Sequence, residues 1–161
     1  MSDITIQQVL SESSDPDNPP PDLIRDILKS VHRVAVVGLS RDPAKAARRV
    51  PSYLATKGYD LLPVNPHADR ILGKKAVASL DDVDEPVDLV LVFRPSESAG
   101  PVIDKATTLP GSPPIWLQEE IRADDQARRA RKAGHTVIQD LCIFKAHRAF
   151  QDEAPRPAEG D

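Results

Sequence analysis

Residues 34–37 read Val-Ala-Val-Val, apolar at every position with no alternation. A strand of that kind has two faces to bury. Further short, mostly apolar runs lie at residues 59–64, 87–93, 115–117 and 136–138. Between them, apolar residues fall at helical spacing, and Gly or Pro marks the ends. Buried strands alternating with helices predict an α/β domain with three layers. Its sheet is doubly wound and mostly parallel, with helices on both faces. The predicted helices cover residues 23–31, 96–107 with Ser96 as cap, 122–133 stopped by Gly134, and 143–150. Another begins near Ala47–Val50 and runs to Lys57, because Pro51 is tolerated in a first helical turn and costly further in. Residues 71–78 predict a short edge strand or a turn.

A chain of 161 residues suits a single domain. The ends read differently from the middle. Residues 1–22 carry five acids, no base and a proline-rich stretch, and predict a flexible leader. Residues 151–161 predict a flexible tail, which leaves residues 23–150 as the folded domain. These two ends hold nine of the 25 acids and one of the 21 bases, so the domain itself carries a net charge of +4. A mildly basic body suits an anionic ligand. It falls short of the basic balance of a nucleic-acid binder, and 4% aromatic residues offer few stacking platforms. No apolar run approaches the ~18 residues of a membrane helix. One cysteine rules out an internal disulfide framework. With no signal-peptide pattern at the start, a cytoplasmic protein is expected.

Ligands of doubly wound sheets bind beyond the carboxyl ends of the strands, where the strand order reverses. The candidate site residues therefore follow the strands: Gly38, Leu39 and Ser40, then Asn65 and Pro66, then Arg94 and Pro95, then Gln118 and Glu119, then Asp140. Gly38 permits a tight turn, Ser40 offers a hydroxyl, and Lys45, Arg48 and Arg49 bring charge to a helix start near Val50. Helix N-termini present free N–H groups to anions, so phosphate is the expected ligand group. The plainer alternative is that Gly38 only turns the chain and the bases form a solvated helix face. The loop is G-x-S rather than G-x-G-x-x-G. The second strand also ends in Asn65, where an NAD site usually places a carboxylate for the ribose.

An ordered set of short motifs runs from about Arg33 to Arg148. It comprises VAVVGLS (34–40), V-x-x-YL (50–54), GY (58–59), PVNP (63–66), ILG (71–73), SL (79–80), PVDLVLVFRPSE (86–97), W-x-Q (116–118) and D-x-C (140–142). In this order the chain resembles the small stand-alone CoA-binding proteins, which are similar to the nucleotide-binding domain of succinyl-CoA synthetase α-type subunits. The resemblance implies a Rossmann-like domain binding CoA or an acyl-CoA. The Gly38–Ser40 loop and the following helix start would hold phosphates, and Asn65-Pro66 with Phe93-Arg94 would line the nucleotide and pantetheine side. Ala47 stands where the family often has serine, Lys45 where it has arginine or lysine, and Glu119-Glu120 where it has small residues.

No catalytic set emerges. The four histidines show no metal spacing. Cys142, near Lys145 and His147, could react with a CoA thiol if it were activated; its plainer reading is a small buried hydrophobe. The run Arg128, Arg129, Arg131 and Lys132 reads as an exposed basic face. Three functions remain open: a non-catalytic CoA or acyl-CoA carrier, sensor or regulatory module; a dinucleotide-dependent oxidoreductase; and a protein-interaction module whose nucleotide site has decayed.

Overall fold

The structure is a computed structural model that describes residues 5–153. Two helices come first, α1 (Ile6–Ser11) and α2 (Pro21–Ser30), followed by β1 (Arg33–Val37), α3 (Ala46–Thr56) and β2 (Asp60–Val64). A two-stranded hairpin of β3 (Arg70–Ile71) and β4 (Lys74–Lys75) follows, then a 3-10 turn and β5 (Leu89–Val92). The chain closes with α4 (Ser96–Ala106), β6 (Ile115–Leu117), α5 (Asp124–Lys132), β7 (Val137–Ile138) and α6 (Ile143–Glu153). The five longer-range strands form one parallel sheet in the order β2-β1-β5-β6-β7. The chain winds outward from β1 to β2, then returns to β5 on the other side. The strand order therefore reverses between β1 and β5, and their carboxyl ends form the expected crevice.

Each strand feeds two cores. Val34 and Val36, Leu89 and Leu91, Trp116 and Ile138 face one side, against α1, α2, α3 and α6. Ala35 and Val37, Val90 and Val92, Ile115 and Leu117 face the other, against α4 and α5. This is why the strand sequences lack alternation: neither face meets water. The prediction of a three-layer α/β domain with a doubly wound parallel sheet holds.

Residues 5–22, read above as part of a flexible leader, are packed onto the domain. Thr5 and Gln8 form a reciprocal capping box for α1, and Ile6 and Val9 are buried in the first core. Asn18 then exchanges two hydrogen bonds with the Gln139 backbone, as a strand would at the sheet edge: Gln139 N–H to Asn18 Oδ1 at 2.8 Å and Asn18 Nδ2 to Gln139 O at 2.9 Å. Asp15 is buried and accepts from Gln139 Nε2 at 2.8 Å and Arg131 Nη2 at 3.0 Å. Burial pushes its carboxyl upward. The donors Gln139, the Asp17 N–H and Arg131 outweigh that and hold it below the ordinary carboxylate range. Arg131 thus turns inward and leaves the basic face predicted for α5, while Arg129 pairs with Asp104. A few apolar residues and one well-partnered carboxylate suffice to dock this acidic, proline-rich segment. At the other end, the first residues of the predicted tail, 151–153, complete α6; residues 1–4 and 154–161 lie outside the described residues.

Candidate functional site

The crevice at the carboxyl ends of β1, β2 and β5 is an open cleft of about 1000 Å³. Its floor is Gly38, which leaves β1 with φ +91°, a conformation that costs glycine nothing. A Cβ there would stand 3.4 Å from Arg94 Cδ and from Phe93 C and Cβ. The space would admit a Cβ at van der Waals contact, so it is the positive φ that calls for glycine. Asn65 ties the third wall in: its Nδ2 donates to Leu39 O at 3.0 Å and its Oδ1 accepts from His67 N–H at 2.7 Å.

Ser40, Lys45, Phe93 and Pro95 complete the part of the lining expected from sequence, together with Gly38, Asn65 and Arg94. The other candidates lie elsewhere. Leu39 and Val50 point into the first core. Pro66 lines a neighbouring, mostly apolar pocket of about 250 Å³ that also includes Val64, Leu80, Val102 and Arg94. Gln118 is buried and accepts from Ile143 N–H at 3.1 Å, so it caps the start of α6. Arg48 and Arg49 do not face the cleft: Arg48 Nη1 donates to Arg41 O at 3.1 Å and Arg49 Nη1 to Ala44 O at 3.0 Å. Both guanidinium groups brace the loop from behind. α3 starts at Ala46, one residue before the expected Ala47–Val50 interval, so both arginines lie in its first turn and reach back to carbonyls of the preceding loop.

Arg41, Asp42, Ala47, His67 and Ser98 also line the cleft and were not among the candidates. The signal for Arg41 and Asp42 was their position directly after Gly-Leu-Ser. The side chains of Arg41, Lys45 and Arg94 make no hydrogen bond or ion pair with any described residue. Asp42 is pinned in its own loop, where Oδ1 accepts from Ala44 N–H at 3.0 Å. α3 has no side-chain cap, and the Ala46 and Ala47 N–H groups meet no acceptor among the described residues. Three cations unpaired among the described residues and a bare helix N-terminus thus meet at one cleft, which gives it the chemistry of an anion site.

The remaining strand-end positions, Glu119 and Asp140, make contacts within the scaffold. Glu119 pairs with Lys145, which also holds Glu12 of the N-terminal segment. The two carboxylates raise the Lys145 ammonium above its ordinary value. Asp140 accepts from Glu120 N–H at 2.6 Å and from Ser14 N–H and Oγ–H at 2.7 Å each, so it joins the loops after β6 and β7 to that segment. Cys142 is buried and free. No group of His, Cys, Asp and Glu among the described residues is placed to hold a metal ion. No helix among them is long and apolar enough to cross a membrane.

Residues 32–148 match the CoA binding domain family. The chain belongs to this family. Among its relatives is the uncharacterised protein YneT of Bacillus subtilis (strain 168), 39% identical over 130 residues that span 81% of this chain and 96% of YneT. The crystal structure of PH1109 redesigned for binding superposes with a TM-score of 0.80 at 29% identity, covering 88% of this chain and all of that one. The apo dinucleotide-forming acetyl-coenzyme A synthetase 1 of Ca. Korarchaeum cryptofilum superposes with a TM-score of 0.56 at 26% identity. There the match covers 65% of this chain and 25% of the synthetase. The family resemblance read from the motifs is thus confirmed, and the Rossmann-like fold with it.

Proposed function

We propose that the protein is a non-catalytic binding module for CoA or an acyl-CoA, acting as carrier, sensor or regulatory subunit. One observation carries the reading: Arg41, Lys45 and Arg94 line the cleft with no partner among the described residues, beside the uncapped start of α3. CoA is the family's ligand class, and its diphosphate and 3′-phosphate need several cations at once. A charge-assisted hydrogen bond is worth ~1.5–3 kcal/mol and a helix terminus ~0.3–1 kcal/mol, so the side chains dominate. The apolar pocket beside the cleft shares Arg94 with it and takes the purine ring. Asn65 in place of a carboxylate leaves the second strand's end free of a charge that would repel a phosphate.

Titration calorimetry with CoA, dephospho-CoA and NAD tests this. CoA binding in the low-micromolar range or weaker, loss of affinity without the 3′-phosphate, and poor NAD binding are expected. Equal binding of all three, or no binding of CoA, overturns the reading.

A further inference from the structure

Pro51 is the sixth residue of α3, well inside the helix. Proline has no N–H, so the carbonyl four residues earlier, that of Ala47, loses its helical donor, and the ring pushes that carbonyl outward. A buried or half-buried carbonyl requires a replacement partner. Ser40 N–H provides it, donating to Ala47 O at 3.0 Å. The amide two residues after Gly38 is thereby engaged by the helix backbone at the edge of the cleft. Gly38 N–H is engaged too, with Val64 O at 3.0 Å. Ser40 Oγ meanwhile accepts from Asp42 N–H at 3.0 Å, which folds the loop back on itself.

We propose that Pro51 is a positioning residue for the anion site. It withdraws the Ser40 amide from the ligand, so the phosphates are held by Arg41, Lys45 and Arg94 and by the first amides of α3. This rests on the phosphate-binding reading of the cleft, but the withdrawn amide is a property of the free protein. Pro51→Ala restores an N–H that bonds Ala47 O within the helix, and the Ser40 amide is released toward the cleft. Since alanine is a better helix residue than proline, the variant should fold.

The experiment is amide hydrogen exchange and chemical-shift mapping by NMR on the full chain, wild type and Pro51→Ala, without ligand and with CoA. In the free wild type the Ser40 amide should be protected, and in Pro51→Ala its protection should fall roughly five- to tenfold. On adding CoA, the Ser40 amide should keep its protection in the wild type, whereas in the variant it should become protected by the ligand and CoA should bind several-fold tighter. A purely structural proline would change stability and leave this ligand-linked difference absent. An unprotected Ser40 amide in the free wild type overturns the proposal even if CoA binds. Protection that is equal in the two proteins overturns it as well. Absence of CoA binding with the exchange difference intact instead overturns the functional reading alone.

Discussion

At the residue scale, the cleft depends on one missing side chain and on cations left unpaired. A Gly38→Ala variant keeps φ near +91°, which costs an L-residue about 1–2 kcal/mol. We expect a lower unfolding midpoint together with weaker CoA binding; an unchanged midpoint would mean that the turn relaxes without cost. Arg94 and Arg48 separate the two roles of arginine here. Arg94→Ala removes a free cation from the cleft and should weaken CoA binding and flatten its salt dependence. Arg48→Ala removes a brace on the Arg41 carbonyl, so binding should fall less and its salt slope should stay near that of the wild type. Calorimetry at several ionic strengths distinguishes them. Of the cations named from sequence, Lys45 and Arg94 line the cleft, whereas Arg48 and Arg49 do not. Charge at a helix start is visible in a sequence, but the direction of a guanidinium depends on the helix register, here set by where α3 begins.

At the element scale, the N-terminal segment is the feature that composition concealed. Thr5 and Gln8 are legible in retrospect as a capping box, and Ile6 and Val9 as an apolar face. Asp15 is not legible, because its partners Arg131 and Gln139 lie more than a hundred residues away. Its folded carboxyl titrates below the ordinary range, so its stabilising contribution is complete above that range and is lost as pH falls through the folded value. Asp15→Asn should therefore cost ~1–3 kcal/mol at neutral pH. In denaturant melts the gap between variant and wild type should close as pH drops below about 4. A gap that persists at low pH would show that the amide disturbs packing rather than charge.

At the scale of the whole molecule, two cavities meet at the reversal of strand order, one cationic and one apolar, with Arg94 common to both. The pair should act as a single site for a ligand with a polyanionic part and a flat apolar part. Ala78→Phe, which fills the apolar pocket, should weaken CoA binding while leaving inorganic pyrophosphate binding unchanged; equal loss of both would place the ring elsewhere. The parallel sheet, its two buried faces and the location of the cleft follow from residues 34–37 and the other apolar runs, since a strand with no polar positions can only be covered on both sides. Several of the motifs that identified the family, GLS, PVNP, FRPSE and W-x-Q among them, lie at strand ends and so mark the fold as well. Only the tertiary structure decided which cations face the cleft, that Gln118 and Glu119 serve the scaffold, and that the acidic N-terminal segment packs onto the domain. Those outcomes depend on contacts between residues distant in the chain, and local patterning carries no information about which distant groups will meet.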